Sequence, residues 1–592
     1  MSETKLKQLY SEAGERLSAS DETPWDVYPR PQMVRDSFIN LNGWWDFALT
    51  EDVRPPRRFE RRIRVPFAPQ ALLSGIGEDI PDGSHLWYRR TVKARLQRGQ
   101  RLLLHVGAAD QEATIWIGNQ RVLLTEGYAP NRYTHVGGYE AFTADITDYL
   151  KPIDEEEFQT EILIQVHDQL AGGVLPYGKQ SLHRGGMWYT PVSGIWQTVW
   201  AEAVPEVYIK KLSIETVPEE GMPAGDVVPD GAWTVKIRAE LSDGTSKTRE
   251  ERIEDPELWS PENPHLYETA IEIGQDRVET YYALRTITTG EAGGIPRLLL
   301  NGKPYFFHGL LDQGYWSDGL FTPAQPEAFA EDISRLRELG FNMLRKHIKV
   351  EPALFYYECD RQGMAVFQDM VQNGAYDFKH DTALPTVGLT GLSDKKKLPP
   401  VETRENFVEG MLATVRALKY HPSVVYWTIF NEGWGQFSGT ENYMQLRRED
   451  ETRPIDTASG WFHPAGLKTD VESRHVYFRK VRQVRSKMPW VLSEFGGYAY
   501  MIPQHAADPE HVYGYRRYGS REEWVRAVQK LYREEILPLI PRGLCAAVYT
   551  QVSDVEDETN GLFTYDRRVQ KLLPEEMRDI SDQMKAAIIS QR

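Results

Sequence analysis

Cysteine is nearly absent from this chain: Cys359 and Cys545 are the only two in 592 residues. Two thiols cannot staple a protein of this size, so a disulfide scaffold is excluded and a reducing, cytoplasmic setting is the expectation. Long hydrophobic runs are missing as well. No stretch approaches the roughly 18 apolar residues of a bilayer-spanning helix, so no membrane partner is expected. The opening MSETKLKQLYSEAGERL has neither an apolar core nor a small-residue cleavage site and does not read as a signal peptide. Positive charge is in deficit: 69 Lys and Arg stand against 86 Asp and Glu, a net charge of −17, with no basic block. That balance disfavours nucleic acid as a partner.

What is present is ordinary globular composition, 41% hydrophobic and 26% charged, in a chain too long for a single core. Aromatics stand out, with 16 Trp and 30 Tyr. Most serve cores and interfaces, but flat aromatic faces also match the C–H faces of sugars, which gives carbohydrate binding some weight.

Three regions separate by pattern. Residues 1–205 read as short strands between turns, as in RLLLHVGAAD and ATIWIGNQRVLL, with Gly118-Asn119 as a hairpin turn. This predicts a jelly-roll β-sandwich. Residues 206–292 hold a smaller β set in which Val235, Ile237 and Ala239 alternate onto one face, which suits an immunoglobulin-like sandwich. From 293 to 592 strands alternate with helices. Strands near 305, 342, 365, 424, 454, 475, 490 and 544 make eight, and eight such alternations predict a (β/α)8 TIM barrel.

In such a barrel, chemistry sits at the C-terminal ends of the strands. The fourth strand, VVYWTIFNEG, is an apolar run that stops on Asn431 and Glu432; the seventh, WVLSEFGG, ends on Glu494. Strands four and seven face each other across the mouth, so the two carboxylates converge. A pair of this kind is what glycosidic cleavage needs: one acid protonates the leaving oxygen, and the other attacks the anomeric carbon. Trp427, Trp434 and Tyr477 are close in the pattern, and Trp461, just past strand five, is a further candidate sugar contact.

The segment HPSVVYWTIFNEGWG resembles the acid/base signature of glycoside hydrolase family 2, the β-galactosidase and β-glucuronidase group. FINLNGWWDF, HLWYRRTV, GGMWYTPVSGIWQTVWAE, ELWSPENPHLYE, LLLNGKPYFFHGL and FNMLRKH extend the resemblance over nearly the whole chain. It implies Glu432 as general acid/base, which must stay protonated, and Glu494 as ionised nucleophile. It further implies that Asn431 contacts the sugar 2-hydroxyl and that Tyr477 orients the nucleophile, although a buried structural role suits that tyrosine equally. Arg345, on strand two, is placed to hold Glu494 charged. No cofactor or metal is implied, the partner is an oligosaccharide or glycoside, and a dimer or tetramer follows only by family analogy.

Departures from the family pattern bear on the sugar. Strand two reads Arg345-Lys346-His347-Ile348-Lys349-Val350 where relatives read Arg-x-Ser-His before an aromatic and Pro: the Arg is kept, Ile348 takes the usual His slot, and Lys349 is extra positive charge. If Lys346 and Lys349 face the pocket they favour a carboxylated sugar; if they turn outward they are solvated. Asp369, ending strand three, either binds a hydroxyl on C4 or C6 or caps a loop. The loop after strand eight carries Glu558 and Asn560 where glucuronidases carry a carboxylate-binding Asn-x-Lys, while Asp554, Glu556 and Asp557 add acidity. The leading expectation is a retaining exo-β-D-galactosidase, with a β-hexuronidase close behind and a pentosidase as a further case. A non-catalytic carbohydrate-binding protein is the alternative of another class. Residues 371–400 form a long loop that is a candidate substrate lid.

Overall fold

The computed structural model describes residues 6–219, 231–384, 394 and 398–589. Its first region is an antiparallel sandwich. A five-stranded sheet, order Ile39–Asn40, Val199–Pro205, Gln100–Val106, Phe142–Asp145, Leu124–Glu126, packs against a larger sheet centred on Glu157–His167 and His85–Arg95. Trp45, Phe47, Tyr88, Leu104 and Ile164, all buried, fill the space between. Residues 6–25 lie between this sandwich and the barrel: Leu9, Leu17 and Trp25 join a cluster that holds residues of both, and Arg64 of the sandwich donates to the Leu17 carbonyl at 2.7 Å. Ser11 Oγ caps the helix Glu12–Ser18 and donates to Asp318 at 2.6 Å.

The second region pairs Ile209–Pro218, Trp233–Leu241 and Ser246–Ile253 in one sheet and Tyr267–Ile273 with Asp276–Tyr282 in another. Strict alternation along Trp233–Leu241 turns Trp233, Val235, Ile237, Ala239 and Leu241 inward, as a strand with one wet face requires.

The third region is the barrel. Its strands are β1 (Phe307–Asp312), β2 (Met343–Lys346), β3 (Ala365–Asp369), β4 (Val424–Asn431), β5 (Ile455–Ser459), β6 (Glu472–Val476), β7 (Trp490–Gly496) and β8 (Leu544–Thr550). They pair in parallel in the order β5-β4-β3-β2-β1-β8-β7-β6. Among the described residues no ladder joins β5 to β6, and side chains bridge that seam: Ser473 Oγ donates to Asp456 Oδ1 at 2.9 Å and to the Ala458 carbonyl at 3.3 Å. Phe307, Phe367 and Tyr426 fill the lumen, the last two stacked at 4.1 Å. Helices cover the outside; in Glu327–Glu338, Phe329, Ile333 and Leu336 are the buried stripe. All eight residues of β4 are buried because the lumen takes one face and the helices the other. The sixth strand starts ahead of HVYF, and its ladder with β7 shifts register at Arg474/His475. Tyr477 therefore lies just past the strand. No described helix is long and apolar enough to cross a membrane.

Candidate active site

β4 delivers its polar end through a local distortion. Glu432 has φ +56°, a left-handed conformation unusual outside glycine, and its N–H donates to the Ser459 carbonyl at 2.9 Å. Gly433 follows at φ +78°, and a Cβ there would come 2.7 Å from the Phe462 ring. The chain thus leaves the strand sharply and turns the Glu432 carboxylate back over the lumen.

Glu494, two residues before the end of β7, meets it there. A Glu432 oxygen, a Glu494 oxygen and a His475 ring nitrogen all lie within 4.8 Å of one another. His475 stands between them, with Nδ1 2.8 Å from Glu432 Oε1 and Nε2 3.6 Å from Glu494 Oε1. The same oxygen of Glu494 accepts from Arg345 Nη1 at 3.0 Å, and Oε2 accepts from the Tyr477 hydroxyl. Burial pushes the Glu494 carboxyl up, but His475, Arg345, His347 and the Tyr477 hydrogen bond together pull it down to about 2. Glu494 is therefore ionised at neutral pH.

Arg345 organises the floor. It donates to Asp369 Oδ1 (2.9 Å), Asn431 Oδ1 (2.9 Å) and the Ser493 carbonyl (2.9 Å) as well as to Glu494. One guanidinium thereby fixes the ends of β3, β4 and β7 at once, a task its rigid fork suits. All these partners are protein groups, so Arg345 acts as a positioning residue. Asn431 keeps its Nδ2 group without a protein acceptor among the described residues, in position for a ligand oxygen. Tyr477 also reaches Thr550 at 2.9 Å and stacks on Tyr515 at 3.7 Å. Trp461 packs 5.9 Å from the His475 ring, and its indole N–H donates to the Asp381 carbonyl at 3.2 Å. That contact brings part of the 371–400 loop over the site; residues 385–393 and 395–397 of the loop lie outside the described residues.

Three expectations are corrected. Asp369 is 1% exposed, and both its oxygens are taken, by Arg345 and by His347 at 2.8 Å, so it positions the floor and does not bind a hydroxyl. Lys346 points away from the lumen. On β2, Met343 and Arg345 face inward, so alternation turns Leu344 and Lys346 toward the helix layer. There Lys346 Nζ meets Asp312 (2.6 Å) and Glu351 (2.7 Å) over the Phe355 ring. Lys349 is buried beside it and bonds to Glu351 and to the carbonyls of Gly314 and Phe321. Neither lysine is solvated, and neither reaches the pocket.

No sequence pattern singled out His475, which stands between the two carboxylates where the β6–β7 ladder shifts register, or the roof contributed by the first sandwich. The acidic loop after β8 anchors that roof: Glu556 accepts from Thr190 N at 2.9 Å, Asp557 from Arg184 at 3.3 Å, and Glu558 from the Tyr189 hydroxyl. Asp554 is paired with Lys571 at 2.6 Å.

Two carboxylates this close, one of them held ionised, fit the roughly 5–5.5 Å spacing of retaining glycosidases and not the wider gap that admits a water between them. The Glu432, His475 and Glu494 donors could also be read as a cation site, but Arg345 already supplies a positive group 3.0 Å from Glu494 Oε1. Fold and site together define a glycoside hydrolase. Family models agree: "Glycosyl hydrolases family 2, TIM barrel domain" matches residues 296–580, and "Glycosyl hydrolases family 2" matches 225–285. The chain belongs to glycoside hydrolase family 2. It is 23% identical over 608 residues to a β-glucuronidase of Bacteroides fragilis, spanning 90% of this chain and 80% of that one. It is 25% identical over 477 residues to a β-glucuronidase of Paenibacillus borealis, spanning 72% and 74%. The β-D-glucuronidase structure of Dictyoglomus thermophilum shares the fold, with a TM-score of 0.68 at 18% identity over 94% of this chain and 98% of that one.

Proposed function

We propose that the protein is a retaining exo-β-glycosidase that removes a terminal β-linked hexuronic acid, glucuronide or galacturonide. The observation that carries the retaining mechanism is the convergence of Glu432 and Glu494 within 4.8 Å, with Glu494 clamped by Arg345 and Tyr477. Glu494 attacks C1 while the Glu432 proton passes to the departing glycosidic oxygen, which leaves an ester between sugar and enzyme. Glu432 then takes a proton from water as that water attacks C1, and the Glu494 ester breaks to release the β-anomer. Asn431 Nδ2 is available to the 2-hydroxyl. Support for the uronide comes from the β-glucuronidase relatives, which outweigh the leading expectation of a galactoside.

The neutral β-D-galactoside reading is kept as second because Glu558, an acid, lies in the loop after β8. A panel of p-nitrophenyl β-glucuronide, β-galacturonide, β-galactoside, β-glucoside and β-arabinoside separates the readings, with Glu494→Gln as control. Uronide hydrolysis that disappears in Glu494→Gln, with the β-anomer appearing first by proton NMR, is the expected result. Hydrolysis of the galactoside alone would replace the first reading by the second. An α-anomer as first product would sink the mechanism.

A further inference from the structure

The roof over the barrel mouth, residues 173–190 of the first sandwich, is held at two edges. On one side Tyr177 N and Gly178 N both donate to the Gln372 carbonyl at 3.0 Å, and the Tyr177 hydroxyl donates to the Gly374 carbonyl at 2.8 Å. Gly178, at φ +69°, lies so close to the end of β2 that a Cβ would stand 2.7 Å from the Ile348 carbonyl. On the other side Tyr189, Thr190 and Gly186 bond to Glu558, Glu556 and Asp557 of the loop after β8. Lys179 sits between these clamps, its carbonyl accepting from Tyr189 N at 3.0 Å.

The Lys179 ammonium lies 5.4 Å from the centroid of the Trp188 ring. Trp188 meets Trp434 edge-on at 5.1 Å, and Trp434 is two residues beyond Glu432. Among the described residues, Lys179 Nζ has no carboxylate within 4.0 Å and no hydrogen-bond acceptor. Its neighbours differ in this respect. Arg345, Lys346, Lys349 and Lys571 all end on protein oxygens. Glu558, in the loop that clamps the roof, already accepts from Tyr189 and from Gln551 at 3.0 Å. Burial pushes the Glu558 carboxyl up to about 7 with Lys179 opposing the rise, and burial, reinforced by Lys179, disfavours a charged His347. A partly buried ammonium on a rigid backbone, beside an aromatic wall and without a counter-ion, is a ready-made seat for an anion.

We propose that Lys179 recognises the C6 carboxylate of the sugar. With the anomeric carbon between Glu432 and Glu494, the remote edge of the ring extends into the space under this roof, where a carboxylate meets the ammonium. The proposal rests on the uronide reading above and assigns the specificity to the sandwich, because strand-two Lys346 and Lys349 are occupied elsewhere.

The test compares wild type, Lys179→Met and Lys179→Arg on p-nitrophenyl β-uronides and on the neutral hexosides of matching configuration. Inhibition constants for free glucuronate and glucose read the same ratio without turnover, and a thermal melt verifies folding. A charge-assisted hydrogen bond predicts a loss of about tenfold or more in uronide-over-hexoside selectivity for Lys179→Met, chiefly in KM, with partial recovery in Lys179→Arg. If wild type cleaves uronides but Lys179→Met lowers both sugars alike, or neither, the assignment to Lys179 is overturned and the function stands. If wild type cleaves only neutral hexosides, both fall together.

Discussion

Replacing Arg345 by methionine tests the electrostatic logic of the site most directly. The guanidinium is 1% exposed and lies 3.0 Å from Glu494 Oε1 and 2.9 Å from Asp369 Oδ1. Two unit charges at that separation attract by roughly 5 kcal/mol at an effective dielectric near 20. The Glu494 carboxyl lies at about 2 against an ordinary 4.5, which stabilises its ionised form by about 3 kcal/mol. His475 is the larger source of that depression and Arg345 the next, so loss of Arg345 removes a substantial part of it. The sign follows from a lowered carboxylate. In wild type the stabilisation is complete above the ordinary carboxylate range and is lost as pH falls from about 4.5 toward 2. In Arg345→Met, burial acts with less opposition and ionisation of Glu494 moves toward neutral. The acid limb of kcat/KM should rise by at least about one pH unit. Breaking a buried ion network should also cost about 3–5 kcal/mol and lower the melting temperature. Arg345→Lys keeps the charge but cannot reach Asp369, Asn431 and Glu494 together, so it should fall between the two. The measurement is a pH–rate profile on whichever aryl β-glycoside is cleaved, alongside a thermal melt. A folded Arg345→Met enzyme whose acid limb has not moved would show that the guanidinium does not set the nucleophile's charge.

Other outcomes follow from the same geometry. Lys346→Met strands Asp312, while Glu351 keeps Lys349, so the melting temperature should fall by the equivalent of about 3 kcal/mol, and the ratio of kcat/KM between uronide and hexoside stays at the wild-type value; a changed ratio would return this lysine to the pocket. Gly433→Ala forces a left-handed alanine against Phe462 and should cost about 1–3 kcal/mol by melting, with kcat falling as Glu432 is displaced; unaltered kinetics would show that the turn after β4 tolerates a Cβ.

Much of the catalytic pair is written locally. VVYWTIFNEG carries no polar side chain but Thr428 and the Tyr426 hydroxyl before Asn431, because a strand between lumen and helices has no wet face. WVLSEFG is likewise buried throughout, with Ser493 and Glu494 near the end of a strand that runs to Gly496. Eight alternations then oblige the two ends to face one mouth. The side-chain direction of the strand-two lysines was legible in principle from the two-residue period, once Arg345 is placed inward; Lys349, past the strand end, follows no period. The role of His475 needed the β6–β7 register, which shifts at that residue.

Strand burial and strand count are properties of contiguous residues, so the class of fold and the pair of carboxylates could be read along the chain. Their surroundings could not. Packing put Lys346 and Lys349 onto Asp312 and Glu351, made Asp369 a partner of Arg345 and not of a sugar, and carried Lys179 onto the mouth from a sandwich some 250 residues before Glu432. Each of these outcomes depends on which charges meet across elements distant in the chain. A buried charge takes the partner that the assembled fold brings within reach, and no local pattern encodes that meeting.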